Sequence, residues 1–224
     1  MSFRIVFAIY DGMTHLDFTG PHMFFSRLPG AEVIVASEHG GTVVAELNFA
    51  DTVRLTEIAA CDLICVPGGM NATEVGLRDG FTSEIRRLAA TARYVTSVCT
   101  GSLILGAAGL LKDKYAACHW AWRDFLVEFG ATPVAERVVR DGNIITGGGV
   151  TAGIDFALSV IGEIAGAEVA QRIQLGLEYD PRPPYDSGSP ETAPPEVLDA
   201  YRQMMAAKAG ERLAQVRAAA AKLH

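Results

Sequence analysis

Cys99 stands where a strand pattern meets a helix pattern. Residues 94–98 are typical of a buried strand, and the small residues Thr100, Gly101 and Ser102 lead directly into an apolar helix pattern. This order predicts a tight strand-to-helix turn that lifts the thiol out of the sheet, as a nucleophile elbow does. The helix N-terminus would favour thiolate over thiol. A lone cysteine is also commonly a buried structural residue, so the residues alone leave both interpretations open.

Two further turns follow predicted strands. Pro67-Gly68-Gly69 comes directly after the strand pattern at 62–66, and Asp17 lies just past the strand pattern at 3–10. Because the carboxyl ends of parallel strands meet at one edge of a sheet, we expect both turns to face the same crevice as Cys99. Glycine amides there could donate to a developing anion, although Pro-Gly-Gly is also an ordinary turn.

Asp17 has two interpretations. It could simply cap the helix that follows it, as aspartate often does in that position. If its carboxyl instead lies beside Cys99, between Leu16 and Phe18, it would lose solvation and face a thiolate. Both effects raise the pKa of a carboxyl, which would make Asp17 a proton donor at neutral pH.

The histidines give little support for a Cys-His pair. Position 100 is threonine, and His119 lies at a strand-to-helix junction where a structural hydrogen bond or cap is favoured over catalysis. His15 could line the pocket. No pair of histidines or cysteines has metal-ligand spacing, and Cys61 and Cys65 fall on a buried strand pattern, so we predict neither a metal nor a cofactor. Residues 147–149, three glycines before a helix pattern, lack a nucleotide-binding fingerprint, which favours close backbone packing over a phosphate cradle.

The composition excludes several classes of protein. The chain has 224 residues, a net charge of −7 and 50% hydrophobic residues, which argues against nucleic acid as the main partner. Four cysteines are too few and too scattered for a disulfide scaffold. The apolar run at 5–10 is shorter than a signal-peptide core, and the uncharged stretch at 94–111 contains five hydroxyl residues and three glycines. We therefore expect a cytoplasmic protein that does not bind a membrane.

Strand patterns alternate with helix patterns along the chain, which predicts an α/β fold with a mostly parallel sheet. The predicted strands are residues 3–10, 31–37, 43–49, 62–66, 94–98, 114–118, 134–140 and 143–146. The predicted helices are residues 19–28, a helix from Phe81, and residues 101–111, 120–129, 151–165, 167–179 and 196–223, the last broken at Gly210. We expect one domain at 1–180, followed at 181–224 by a Pro-rich loop and a helix packed on the domain or on a dimer partner.

Five segments together resemble the ThiJ/PfpI superfamily, which is related to the class I glutamine amidotransferases. They are LDFTGP at 16–21, VPGG at 66–69, SVCTGS at 97–102, AAGLL at 107–111 and GGGVTAGID at 147–155. The likeness extends over nearly the whole chain. The first four segments also resemble the ligand-binding halves of AraC-type regulators, so they identify the superfamily better than the reaction.

The resemblance implies a flavodoxin-like three-layer sandwich, a homodimer, and a Cys99 nucleophile partnered by the Asp17 carboxyl. Within the superfamily the chain is most similar to the branch that hydrates isocyanides, whereas Thr100 departs from the proteases, which carry histidine at that position. We expect substrate-binding or anion-stabilising roles for Gly68, Gly69, Thr100, Gly148 and Val150.

The expected reaction has three steps. Cys99 thiolate attacks the terminal carbon of an isocyanide, Asp17 protonates that carbon to give a thioimidate, and water then releases an N-substituted formamide. Two alternatives stay open: a glyoxalase-like or other cysteine-dependent enzyme of the superfamily, and a non-catalytic ligand-binding module. The tail after Pro195 is too short and too Ala-rich for a helix-turn-helix domain.

Overall fold

The computed structural model describes residues 2–223 and contains one eight-stranded sheet with helices on both faces. The strands are β1 (Phe3–Ala8), β2 (Ala31–Ser37), β3 (Gly41–Val44), β4 (Asn48–Arg54), β5 (Leu63–Val66), β6 (Tyr94–Val98), β7 (Tyr115–Ala116), β8 (Thr132–Pro133), β9 (Val138–Asp141) and β10 (Ile144–Gly147). The α-helices are α1 (His15–Phe25), α2 (Ala72–Val75), α3 (Asp79–Ala89), α4 (Gly101–Ala107), α5 (Ala152–Ala165), α6 (Ala167–Gly176) and α7 (Pro195–Ala221), with 3-10 helices at Leu55–Glu57 and Arg123–Phe129. His224, the last residue of the predicted tail, lies outside the described residues.

The large sheet has the order β3-β4-β2-β1-β5-β6-β10-β9, and β7 and β8 pair separately. Its central strands β2, β1, β5, β6 and β10 are all parallel, which is the flavodoxin-like order. The chain moves from β1 to β2 on one side and later returns to β5 on the other. The carboxyl ends of β1 and β5 therefore flank the point where the strand order reverses, and ligands bind at such points. The predicted fold class is confirmed.

The central strands are covered on both faces, which explains their almost continuously apolar sequences. Every residue of β5 and β6 is buried. Thr96, in the middle of β6, donates its hydroxyl hydrogen to the Ile64 carbonyl at 2.8 Å, so this polar group is satisfied inside the core. Helices α1 and α5 pack together on one face, and α3 and α4 pack together on the other. Helix α7 packs against α2, α4 and the 3-10 helix at Arg123–Phe129.

Helix α1 begins four residues earlier than predicted, at His15 rather than residue 19. The Glu46 carboxylate, from the loop between β3 and β4, accepts the His15 N–H at 3.0 Å and satisfies one free donor of the first turn. Pro21 consequently lies inside the helix rather than in its first turn. It is buried opposite Gly153 of α5, where an added Cβ would lie 3.0 Å from the Pro21 Cδ, so the two helices meet at this point.

Other predicted boundaries also differ from the structure. The segment at 43–49, predicted as an edge strand or one arm of a hairpin, spans the turn of a two-stranded hairpin formed by β3 and β4. The helix predicted at 120–129 is the shorter 3-10 helix. The helix predicted at 101–111 ends at Ala107, because Gly109 turns the chain with a positive φ of 75°. Helix α2 was not predicted, and α7 continues through Gly210 without a break.

The hairpin predicted around Asp141-Gly142 is confirmed, with β9 antiparallel to β10. All four cysteines are buried free thiols. Within the described chain, no helix has the length and apolar character required to cross a membrane.

Candidate active site

Cys99 lies on a strained turn between β6 and α4. Its φ of 58° is in the left-handed region, which a residue with a side chain adopts at a cost of about 1–3 kcal/mol. Neighbouring strands hold this conformation: the Cys99 N–H donates to the Gly147 carbonyl at the end of β10, at 3.0 Å. Gly101 begins α4 directly against the Val66 carbonyl, and a Cβ there would overlap it. The turn has the strand-to-helix geometry expected of a nucleophile elbow.

The turn after β5 and the start of α1 meet the Cys99 turn. Asp17 Oδ2 accepts the Gly68 N–H at 2.9 Å, and Thr100 Oγ1 accepts the Gly69 N–H at 2.9 Å. The Thr100 hydroxyl also donates to the Gly69 carbonyl at 3.1 Å. An added Cβ on Gly68 would lie 2.7 Å from Thr100 Oγ1 and 2.8 Å from Asp17 Oδ2, so only glycine fits. The structure thus brings together the three predicted strand ends.

The Asp17 carboxyl is completely buried. Burial raises its pKa from 3.8 to about 7, against the lowering effects of the Gly68 N–H and the Cys99 thiol, and the Glu46 carboxylate raises it slightly further. Its Oδ1 has no hydrogen-bond partner of normal geometry among residues 2–223. Gly68 occupies Oδ2, so Oδ1 is the oxygen left free for proton exchange.

Cys99 is 5% exposed. Burial raises its pKa well above 9.0, and the Asp17 and Cys118 side chains raise it further, whereas the Thr100 backbone N–H lowers it. Cys99 and Asp17 therefore affect each other's ionisation and are best treated as one pair that shares its protons.

The glycine amides are used differently from the prediction. The N–H groups of Gly68 and Gly69 already donate to Asp17 and Thr100, so they position these side chains and are not free for a substrate anion. The Thr100 amide is the one of the three that acts on the sulfur. This difference arises because the turn folds back on α1 and α4, a contact that sequence spacing does not show.

Gly148 and Val150 line a neighbouring cavity of about 500 Å³ rather than the Cys99–Asp17 pair itself. Cys118 and His119 line the same cavity. The Gly148 N–H donates to the Arg137 carbonyl at 2.9 Å, so this amide is also occupied. The cavity adjoins the pair through Cys118, whose thiol raises the pKa of Cys99.

The histidines stay outside the pair. His119 Nδ1 accepts the Ala121 N–H at 3.3 Å, the local capping role expected for it. Burial lowers the pKa of His119, and the Arg212 guanidinium lowers it further, so its ring is neutral at neutral pH. His15 Nδ1 lies 3.4 Å from Thr19 Oγ1, within its own helix. Cys61 and Cys65 lie in the core, as predicted.

Arg212 on α7 is a site residue that the sequence reasoning missed. It is 5% exposed, and its Nη2 donates to the carbonyl of Met70, the residue after Gly69, at 2.7 Å. Its guanidinium carbon lies 4.4 Å from the centre of the Trp122 ring. A signal was present in the sequence, because Arg212 shares a helical stripe with the apolar residues Ala209, Val216 and Ala219.

The fold and site define a class: flavodoxin-like α/β proteins with a cysteine on a nucleophile elbow. The sequence model of the DJ-1/PfpI family matches residues 3–163, and the chain belongs to this family. It is 46% identical to an isonitrile hydratase of Pseudomonas putida, over all of this chain and 99% of that protein.

Solved structures of this family have the same fold. A ThiJ/PfpI family protein from Pseudomonas syringae superposes with a TM-score of 0.92 at 39% identity, covering 98% of this chain and 91% of the other. Drosophila melanogaster DJ-1beta superposes with a TM-score of 0.71 at 23% identity over 80% of this chain and 98% of its own, which supports the fold alone.

Proposed function

We propose that this protein is an isonitrile hydratase that adds water to an isocyanide and releases an N-substituted formamide. The observation that carries the proposal is that a buried thiol, Cys99, and a buried carboxyl, Asp17, meet at one turn and affect each other's pKa, with no histidine between them. An isocyanide has no leaving group, and its terminal carbon must accept a nucleophile and then a proton. The similarity to the Pseudomonas putida enzyme supports the same reaction.

The reactive form of the pair carries a single proton. With the pKa of Asp17 at about 7 and that of Cys99 far higher, the pair loses one proton near neutral pH and keeps the second. Transfer of the remaining proton from sulfur to Asp17 creates a thiolate beside a carboxylic acid without changing the net charge. This tautomer holds both the nucleophile and the proton that the reaction consumes.

In the first half-reaction, a sulfur lone pair forms a C–S bond to the isocyanide carbon. That carbon then takes the Asp17 proton, which gives a thioimidate and leaves Asp17 as a carboxylate. The Thr100 N–H lowers the pKa of the Cys99 thiol and so favours the attacking thiolate. Gly68 and Gly69 hold Asp17 and Thr100 in place for these steps.

In the second half-reaction, Asp17 carboxylate takes a proton from a water molecule as its oxygen attacks the thioimidate carbon. Asp17 passes this proton to the nitrogen. The C–S bond then breaks, its electrons return to sulfur, and the added hydroxyl gives its proton to Asp17 as the carbonyl forms. The products are the formamide and the one-proton pair, so one isocyanide and one water are consumed in each cycle. Gly148 and Val150, in the cavity next to the pair, are proposed to contact the substituent of the isocyanide rather than the reacting carbon.

We also propose that the chain forms a homodimer in the cytoplasm, as the resemblance to its superfamily implies. Exposed apolar side chains support a second copy as the partner: Leu175 is 82% exposed and Tyr185 is 81% exposed, both in the region after α5. Light scattering coupled to size-exclusion chromatography tests the dimer, and a mass of one 23.8 kDa chain would overturn it.

The test of the reaction is loss of an aryl isocyanide with matching formamide formation, followed by chromatography. We expect Cys99→Ala and Asp17→Asn each to lose at least about a thousandfold in kcat/KM, because each removes one half of the proton-sharing pair. Cys61→Ala is the matched control: it also removes a buried thiol, but one next to Leu88 and Thr91. Full activity in Cys99→Ala would overturn the mechanism.

The two alternatives are tested alongside. Lactate formation from methylglyoxal without isocyanide turnover would replace the proposal with a glyoxalase-like enzyme. Inactivity on both substrates, with tight binding of a small molecule that survives Cys99→Ala, would favour a ligand-binding module. A Cys99 adduct whose mass equals that of one isocyanide, absent from Cys99→Ala, is the result expected for the thioimidate.

A further inference from the structure

Arg212 is a buried cation without a carboxylate partner. Within residues 2–223, no carboxylate oxygen lies within 4.0 Å of its guanidinium nitrogens. Its hydrogen bonds there are both made by Nη2, to the Met70 carbonyl and sulfur, so Nε and Nη1 have no protein acceptor. A buried charge of this kind is costly unless another charge compensates it.

The Cys99–Asp17 pair is a buried anion, opposite in charge to Arg212. After losing its first proton it carries one negative charge in a buried site, and Asp17 Oδ1 has no hydrogen-bond partner there. None of the ion pairs in the described chain includes Asp17. Met70, which Arg212 holds, follows Gly69 in the turn that positions Asp17 and Thr100. One buried anion and one buried cation thus lie at the same turn, and neither has an oppositely charged side chain within 4.0 Å in the described chain.

We propose that Arg212 is the counterion of the Cys99–Asp17 pair: its guanidinium, carried by α7, stabilises the negative charge of the one-proton pair. Arg212 is a positioning residue, because it acts through the pair rather than on the isocyanide. This inference rests on the proposed role of Cys99 and extends it, since it assigns the C-terminal helix an electrostatic part in the reaction. Arg212 would supply the positive charge that a histidine provides in a Cys-His pair.

The electrostatic effect of Cys99 on Arg212 favours the guanidinium cation. Burial lowers the pKa of Arg212, and among the charged groups that oppose this effect Cys99 is the largest, ahead of Tyr10. Our proposal is that the interaction is reciprocal, so that the guanidinium of Arg212 in turn favours the negative charge of the pair. Trp122, beneath the guanidinium, fixes its plane and excludes water from that side.

Other ionisable groups face Arg212 or the pair from several elements, namely Tyr10, Glu46, Cys65, Cys118, His119 and Glu211. Burial raises the pKa of Cys65 to about 12, so it stays neutral through the neutral range. Burial raises the pKa of Tyr10 well above 10.0 and that of Cys118 to about 12, so both stay neutral through the neutral range. Glu46 and Glu211 are exposed, where solvent screens them. Arg212 is therefore the group whose removal should change the titration of the pair.

The test is the pH dependence of Cys99 alkylation by iodoacetamide in the full-length protein, read by peptide mass spectrometry. We expect Arg212→Met to move the first rise of the rate upward by about one pH unit and to slow alkylation at pH 7 about tenfold. Arg212→Lys keeps the charge and should retain a profile close to wild type. The matched control is Arg217→Met, which removes an exposed α7 arginine paired with Glu128 but leaves the site untouched.

Every outcome decides the question. An unshifted profile in a folded Arg212→Met overturns the proposal, as does an equal shift in Arg217→Met. If Arg212→Met does not fold, Arg212→Lys decides alone, since a shift as large as about one pH unit there would show that charge is not the cause. No isocyanide is used, so this experiment can fail while hydration is observed, and the reverse holds as well.

Discussion

Burial of Asp17 should lower the stability of the protein as the pH rises. The pKa of this carboxyl is raised on folding from 3.8 to about 7, so the folded state holds the proton more tightly than the unfolded chain. The contribution of the protonated carboxyl to the free energy of unfolding is therefore fully present below pH 3.8 and is lost as the pH rises to about 7. The difference corresponds to about 4 kcal/mol in the free energy of unfolding.

Asp17→Asn removes this titration while keeping the shape and an oxygen for the Gly68 N–H. We expect the variant to gain stability over wild type with rising pH, by about 2–3 kcal/mol between pH 5 and pH 8. Urea unfolding at one fixed protein concentration, followed by the fluorescence of Trp120 and Trp122, measures it. At pH 8 this gain would raise the urea concentration at the midpoint of unfolding by about 1 M relative to wild type.

Asp141→Asn is the control with the opposite sign. The Tyr115 N–H and the Lys114 ammonium lower the pKa of Asp141, so its contribution is present above its usual pKa of 3.8 and is lost only as the pH falls below it. This variant should be less stable than wild type by the same amount at pH 5 and pH 8. If Asp17→Asn behaves in the same way, with a difference from wild type that does not change with pH, the argument from burial is refuted.

Two further substitutions test the packing around the site and the tail. Gly68→Ala should lower kcat/KM at least about a hundredfold, because the new Cβ would overlap the Thr100 backbone N and lie 2.8 Å from Asp17 Oδ2, so the turn and the carboxyl must both shift. Gly176→Ala, where no atom lies within 4 Å, is the control, and equal activity of the two variants would contradict this geometry. Gly210→Ala should stabilise the protein by about 0.5–1 kcal/mol, or about 1–4 °C in Tm, because the position is inside a continuous helix with open space around it. A lower Tm in a thermal scan would contradict the unbroken α7.

The sequence was sufficient to predict the features that depend on local patterns. Strand β6, the turn at Cys99 and the hairpin at Asp141-Gly142 each follow from neighbouring residues, and parallel strand ends share an edge by topology. The start of α1 could not be predicted in this way. It depends on Glu46, which reaches His15 from a hairpin 31 residues further along the chain.

The same limit applies to the amides of Gly68 and Gly69. The Pro-Gly-Gly sequence predicts free N–H donors at Gly68 and Gly69. Asp17 and Thr100, which come from other elements, accept these two hydrogen bonds. Arg212 lies still further from the site in sequence, 142 residues after Met70, and its helix has the composition of an ordinary Ala-rich tail. Long-range contacts of this kind determine which donors are free and which charges are compensated.

The buried positions of Cys99 and Asp17 explain how a thiol–carboxyl pair could work without histidine. Burial alone would keep both Cys99 and Asp17 protonated and unreactive, because it raises the pKa of each. A fully compensated Asp17 would ionise at an acidic pH and hold no proton to donate at neutral pH. A partly compensated site avoids both extremes: the Gly68 N–H and the Cys99 thiol keep the first proton loss near neutrality, while the apolar surroundings retain the second proton. Stability is thereby lost at Asp17, in the pH range where the proposed chemistry requires the carboxyl to exchange its proton.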